Sequence, residues 1–241
     1  MIVYPKGWEQ FGRQPTAETL KATLLEVLRE IGCHSLCLSG GVDSSLILAY
    51  LTEIFENVTA YTIGSSPSHP DVVAARQVVT YFQDKGRYID HYVGIPTAEE
   101  MAKAKRKECQ YPGDEAVFLL YRYIALRGVS DSVLSCDGID ELACGYYAHE
   151  QSPTYEVYFQ FLHQLAERHL IPMNRNSGKI QVKLPYLDSR IVGLLGLVPL
   201  EEKLKAGRKG LIYTLASEVL PTFITERRKY GMCDALTGGE E

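Results

Sequence analysis

Residues 36 to 55 constrain this chain more than any other stretch. Leu36-Cys37-Leu38 is a short apolar run that reads as a buried strand. It meets Ser39-Gly40-Gly41-Val42-Asp43-Ser44-Ser45. Beyond that, Leu46, Ile47, Tyr50, Leu51, Ile54 and Phe55 recur at the spacing of one helix face, predicting a helix over 44–56. A strand, a glycine turn and a helix start, in that order, form a geometry that binds phosphate. Gly40 and Gly41 let the backbone approach an anion without a Cβ in the way, and the free N–H groups of the first helical turn point at it. Ser39, Ser44 and Ser45 add hydroxyl donors. The Walker pattern is absent and no lysine stands here. Asp43 would repel bare phosphate, so it makes sense with a divalent cation between them. The plainer alternative is a serine- and glycine-rich turn before an ordinary helix.

Strands and helices alternate around this unit. Thr16 caps a helix carrying Leu20, Leu24, Leu25, Leu28 and Ile31, which Gly32 ends. Val58–Ile63 reads as a second strand and Arg87–Val93 as a third, with a helix from Asp71, its cap, to Phe82 between them. Thr97-Ala-Glu-Glu100 is a capping box opening a short helix, and Asp114 caps another that stops at Gly128. Val133–Cys136 is a fourth strand. This alternation predicts an α/β fold with a parallel sheet covered on both faces. Past Gly145 the pattern turns helical, with an aromatic stripe at Tyr155, Tyr158, Phe159 and Leu162 that reads as core. Asn174–Gly178 reads as a turn. Helices follow from Asp188 to Leu197, around Lys209–Val219 and over Phe223–Lys229. The whole, 1–241, reads as one domain, with a core over 16–150 and a helical part over 151–236.

The fourth strand runs straight into Asp137-Gly138-Ile139-Asp140-Glu141-Leu142. Three carboxylates within five residues repel one another unless a cation or amine offsets them. Alternatively, they are acids favouring the positive end of a helix. Both this turn and the Ser39 loop follow strand ends, and ligands of parallel sheets sit at the carboxyl ends of the strands, so the two should face one cleft. Asp43 and Asp140 across one phosphate-binding cleft suit a divalent cation such as magnesium held between them and the phosphate.

The net charge of −5 argues against broad nucleic-acid binding, and the basic run Lys103–Lys107 reads as a solvated helix face. Six scattered cysteines without a Cys-x-x-Cys pair suit reduced thiols in a cytoplasmic protein and give no structural zinc. No signal peptide opens the sequence, and no apolar run approaches membrane-spanning length. Trp8 and Phe11 either pin the irregular first residues onto the domain or meet a partner, a homo-oligomer included.

Ser39-Gly40-Gly41-Val42-Asp43-Ser44 resembles the signature of the PP-loop ATP pyrophosphatases, which split ATP into AMP and pyrophosphate while activating a carbonyl or carboxylate. Ser135-Cys136-Asp137-Gly138-Ile139-Asp140-Glu141-Leu142 with Gly145-Tyr146 is similar to the second signature of the asparagine synthetase/β-lactam synthetase branch. Val182-Lys183-Leu184-Pro185-Tyr186-Leu187-Asp188, Lys209, Leu220-Pro221 and Arg227-Arg228-Lys229 resemble its later elements, in order. The resemblance implies a doubly wound, mostly parallel sheet of the adenine nucleotide alpha-hydrolase-like, PP-loop type, with ATP and Mg²⁺ as cofactors. By it, Asp43 and Asp140 hold magnesium. Ser39, Gly40, Gly41, Ser44 and Ser45 bind pyrophosphate, with Lys209 at a further family lysine, and Leu38, Ile63 and Gly138 lie near the adenosine. Lys229, otherwise a surface lysine, stabilises the adenylating phosphate. Asp137 takes the place of the branch's acidic residue, usually glutamate, that meets the substrate amine or helps deprotonate the nucleophile.

Cys136 stands where that branch has glycine, and Ala143-Cys144 where it has an aromatic-glycine pair, so aspartate as the acid is doubtful. The chain begins Met1-Ile2-Val3, without the branch's leading cysteine and glutaminase domain. Ammonia is then expected free or from a separate glutaminase subunit. The expected activity is a magnesium-dependent ligase that adenylates a small-molecule acid and passes it to ammonia or an amine. Two alternatives stay open: sulfur or nitrogen insertion, as in tRNA modification with Cys136 and Cys144 near the cleft, and a non-catalytic nucleotide-binding subunit of a glutaminase partner.

Overall fold

The computed structural model describes residues 14–105, 109–205, 207–227 and 234–236. Its centre is a five-stranded sheet in the order β3-β2-β1-β4-β5, every neighbouring pair parallel. The strands are β1 (Ser35–Cys37), β2 (Asn57–Ile63), β3 (Tyr88–Gly94), β4 (Ser132–Leu134) and β5 (Gln181–Lys183). Alternation along them sorts side chains to two cores. Leu36, Val58, Ala60 and Leu134 face one, and Tyr61, Ile63 and Val133 the other. The α/β, doubly wound fold is as expected, and the sheet is wholly parallel.

Helix α1 (Ala17–Ile31) starts where Thr16 accepts from Thr19 N and stops at Gly32 in a left-handed conformation. Helix α2 (Val42–Ile54) departs from its sequence reading. It begins two residues earlier, with Gly41 as N-cap, and Leu46, Ile47, Tyr50 and Leu51 do not form a single inner stripe. Every residue from Ser44 to Thr52 is buried, because α2 is wedged between the sheet and helices α1 and α12 (Gly210–Val219). Helix α3 (Pro70–Gln83) is capped by His69, whose Nδ1 accepts from Asp71 N, and not by Asp71. Pro70 sets the first turn, which leaves the Asp71 carboxylate for another partner.

The second face carries α4 (Ala98–Ala104), opened by the expected Thr97–Glu100 capping box, and α5 (Asp114–Arg127). Gly113, not Asp114, is the N-cap of α5. The Asp114 carboxylate instead accepts from Gln110 N and Tyr111 N, tying down the approach to the helix. After β4 come α6 (Ile139–Leu142), α7 (Tyr147–Gln151) and α8 (Tyr155–Leu165). A single π-helical turn, Ala166–Leu170, then leads into α9 (Ile171–Asn176). Most of the expected turn at 174–178 is therefore the end of α9. Strand β5 follows, which three residues of sequence did not announce. Beyond it a 3₁₀ turn (Pro185–Leu187) leads to α10 (Ser189–Gly196), capped by Asp188. Helices α11 (Leu200–Lys203), α12 and α13 (Thr222–Thr225) complete the described chain. The last is shorter than the helix expected to reach Lys229. Among the described residues no helix is long and apolar enough to cross a membrane.

Candidate active site

The strand order reverses direction between β1 and β4: β2 and β3 extend the sheet from one side, β5 from the other. A crevice opens at such a point, outside the carboxyl ends of the strands. The loops that follow β1 and β4 are the Ser39 loop and the Asp137 turn, so the two acidic motifs do meet there.

The loop after β1 is folded by its own hydroxyls. Ser44 Oγ accepts from Ser39 N (3.2 Å) and lies 3.1 Å from Ser39 Oγ, while Ser39 Oγ accepts from Gly41 N at 3.3 Å. Gly40 has φ +70°, and a Cβ there would stand 2.5 Å from Ala75 N, so the loop lies directly on the first turns of α3. Tyr186, fully buried, donates from its hydroxyl to the Asp43 carbonyl at 3.3 Å and braces the start of α2 from beneath. The Pro-aromatic-Leu-Asp motif thus supports the loop from the core it shares with α2 and does not line the cleft itself.

Lys209 joins the two motifs. Its Nζ donates to Asp43 Oδ2 at 2.5 Å and lies 2.6 Å from Asp140 Oδ1, and the lysine is 3 % exposed. Burial alone would lower the ammonium's pKa. The attraction and hydrogen bonds of Asp140 and Asp43 outweigh it and hold the proton more firmly than in water. Lys209 N-caps α12 with φ +54°, ψ +41°, a left-handed conformation that costs a non-glycine residue about 1 kcal/mol. Gly145 completes the cradle. A Cβ at that position would fall 1.9 Å from Asp140 Oδ1 and 2.3 Å from Lys209 Cε.

Around this centre the cleft is lined by Ser39, Gly41, Val42, Asp43, Gly145 and Lys209, together with residues the sequence reading did not assign to the site: Asp71, Arg208, Tyr213, Ile224 and Arg227. Arg227 pairs with Asp71 at 2.5 Å, both largely buried. Arg208 donates to the Gly145 carbonyl at 2.8 Å and stacks over Tyr147 at 3.9 Å. Arg208 is next to Lys209 in the chain, and Arg227 belongs to the closing basic tripeptide. Arg208 was therefore adjacent to a flagged residue without being flagged, while Arg227 was flagged as part of the closing motif but given no role in the site.

Other expected site residues do not line this cleft. Leu38 and Ile63 are buried in opposite cores, and Gly138 N-caps α6; none of the three lines this cleft. Ser44 and Ser45 are buried in the first turn of α2. Asp137 sits at the end of β4, where Ser135 Oγ donates to its Oδ2 at 2.5 Å, and burial raises its pKa against that bond and the nearby His169. Its neighbour Glu141 is buried, is also raised by burial, and accepts from the Tyr146 hydroxyl at 2.7 Å. Cys144 has φ +61°, the conformation a glycine adopts without strain. Lys229 lies outside the described residues, as do Trp8 and Phe11.

Two carboxylates converging on one cation position, with Asp43 Oδ1 buried and lacking a hydrogen-bond partner, form an all-oxygen donor set that suits a hard divalent ion such as Mg²⁺.

The parallel sheet, the glycine loop at its reversal point and the second acidic turn define a PP-loop α/β protein. The chain belongs to the asparagine synthase family: the family described as Asparagine synthase matches residues 17–179. A probable glutamine-hydrolysing asparagine synthetase of Acanthamoeba polyphaga mimivirus is 26 % identical over 251 residues, covering 94 % of this chain and 46 % of that protein. The glutamine-hydrolysing asparagine synthetase of Gallus gallus is 26 % identical over 230 residues, covering 86 % and 40 %. The chain therefore spans less than half the length of these relatives. NMN synthetase from Francisella tularensis has the same fold, with a TM-score of 0.50 at 16 % identity, over 92 % of this chain and 76 % of that one.

Proposed function

We propose that the chain is an ATP pyrophosphatase-type ligase: it adenylates a carboxylate with Mg-ATP, releases pyrophosphate, and forms an amide with ammonia or an amine. The observation that carries this reading is the convergence of Asp43, Asp140 and Lys209 beside the Ser39–Gly41 loop, in a chain of this family. In this reading the loop's N–H groups and hydroxyls and the Lys209 ammonium bind the β- and γ-phosphates, and Arg208 and Arg227 add positive charge to the same cleft. Asp43 and Asp140 hold Mg²⁺, which supplies charge neutralisation on the polyphosphate. Cationic groups fixed in a mostly buried cleft favour the charge that develops when the α-phosphate is attacked. Asp137, its pKa raised by burial, is suited to take a proton from the incoming amine at neutral pH. Lys229 keeps its proposed place at the adenylating phosphate.

Sulfur transfer is less well supported. Burial pushes the Cys136 thiol well up and that of Cys144 to about 11, so neither supplies the thiolate such chemistry needs. In the ligase reading the nitrogen donor is ammonia or an amine.

The test is release of AMP and pyrophosphate from Mg-ATP with a panel of carboxylates, with and without ammonium. AMP formation that depends on one acid and on the nitrogen donor, and that is lost in Asp43→Ala, is the expected result. ADP as product, or nucleotide binding without AMP across the panel, would overturn the ligase reading.

A further inference from the structure

The acid pair already has a cation between its members, and that cation belongs to the chain. One atom, Lys209 Nζ, lies within 2.6 Å of both Asp43 and Asp140. A divalent ion bridging the same two oxygens, Asp43 Oδ2 and Asp140 Oδ1, needs this space, since a metal's oxygen ligands stand closer still. Lysine and metal cannot share it.

We propose that Lys209 is an internal counter-ion: it fills the shared cation position of Asp43 and Asp140 while the cleft lacks nucleotide, and it yields that position to a divalent ion only when a polyphosphate offers its ammonium a new partner. The proposal rests on the nucleotide reading above and adds an order of events to it.

Three features of the site support this. First, the lysine is delivered by backbone geometry. It has a left-handed φ at the start of α12, and the next residue, Gly210, lies against the Glu202 backbone, where a Cβ would meet the carbonyl oxygen at 2.3 Å. Second, its stem crosses the bare face of Gly145, a space that only glycine leaves open beside Asp140. Third, the charges permit an exchange and disfavour an addition. A divalent ion entering beside a retained ammonium would meet like charge in a buried site. An ammonium leaving without a new acceptor would be buried and unpaired. Among the described residues the other cations of the cleft are engaged elsewhere, Arg227 with Asp71, and Arg208 with the Gly145 carbonyl and, at 3.6 Å, Glu150. Lys209 is thus the cleft cation whose partners are both candidate metal ligands.

The consequence is that free metal binds weakly and that metal and polyphosphate enter cooperatively. Mn²⁺ is the probe, with binding to the full chain read by electron paramagnetic resonance of the unbound ion. In the unaltered protein, pyrophosphate should tighten Mn²⁺ binding by about tenfold or more, within the usual range of coupling between sites. Lys209→Met should bind Mn²⁺ without pyrophosphate about tenfold more tightly than the unaltered protein. Adding Asp43→Asn to that variant should abolish the gain. If Lys209→Met binds Mn²⁺ no better, or if pyrophosphate leaves Mn²⁺ affinity of the unaltered protein unchanged, the proposal is overturned. The second measurement needs no variant, so a Lys209→Met chain that fails to fold leaves the question decidable. Failure of AMP formation with Mn²⁺–pyrophosphate coupling intact sinks the ligase reading alone; AMP formation without coupling sinks the counter-ion alone.

Discussion

Gly145→Ala is the smallest change that should dismantle the centre of the site. Its φ lies outside the left-handed region, so alanine brings no backbone strain, only a methyl group. That methyl would stand 1.9 Å from Asp140 Oδ1, where contacts under 3.0 Å essentially do not occur. The carboxylate must therefore retreat by roughly 1 Å or more, or the lysine must leave, since the methyl also meets Lys209 Cε at 2.3 Å. Backbone movement offers little relief: Gly145 N donates to the Asp140 carbonyl at 2.7 Å, and the Gly145 carbonyl holds Arg208. A displacement of that size at a reacting centre costs about 100-fold in rate. Breaking one partner out of a buried ion pair costs about 3 kcal/mol or more; here Lys209 keeps its bond to Asp43, so about 2 kcal/mol is expected. The assays are kcat/KM for AMP release and the urea unfolding midpoint. Gly193→Ala in α10 is the control, an exposed helical glycine with open space around its Cβ position. It should gain about 0.5–1 kcal/mol and leave activity unchanged. A Gly145→Ala protein with kcat/KM within about threefold of the parent and an unshifted midpoint would refute the reasoning, because the Asp140–Lys209 contact would then have no role in either property.

Two further outcomes follow from pairs outside that centre. Arg227→Met leaves the Asp71 carboxylate buried opposite an apolar side chain and should cost about 3 kcal/mol, whereas Arg227→Met with Asp71→Asn should cost less; urea unfolding of the set measures the difference. His91, whose Nε2 lies 2.8 Å from Thr62 Oγ1, has its pKa lowered to about 4 by burial first and by Arg76 second. The folded protein therefore keeps this ring neutral while the unfolded chain protonates it. Its contribution is full above about pH 6.5 and is lost as pH falls toward 4, a change of up to about 3 kcal/mol. His91→Gln should flatten that limb of the stability curve, as read by unfolding midpoints between pH 4 and 7. An unchanged slope would mean that the ring is not buried as neutral imidazole.

Much of the fold was legible because its signals are local. The Thr16 cap, the Gly32 stop, the Thr97 capping box and the glycine loop are each settled within a few residues. Strand alternation reads through neighbours two apart. The sequence reading erred where geometry depends on what lies opposite. Periodicity marks apolar positions but not how many sides of a helix are covered, so the all-round burial of α2 was invisible. A three-residue strand such as β5 carries too little alternation to register. Asp71 and Asp114 look like caps, but His69 and Gly113 take those positions, and both carboxylates serve other partners.

For the site, the residues themselves fixed the acidic and glycine-rich character of two strand ends and, through their motifs, the family. They fixed Asp43 and Asp140 as a candidate pair because parallel strands deliver their loops to one edge. Only the tertiary structure could bring Lys209 between them, since it lies 166 residues from Asp43 in sequence, or set Arg227 against Asp71 across a separation of 156. A buried ion pair depends on distances of a few ångströms within a water-poor space. No local pattern encodes such distances, which exist only once helices from both ends of the chain have closed over the sheet.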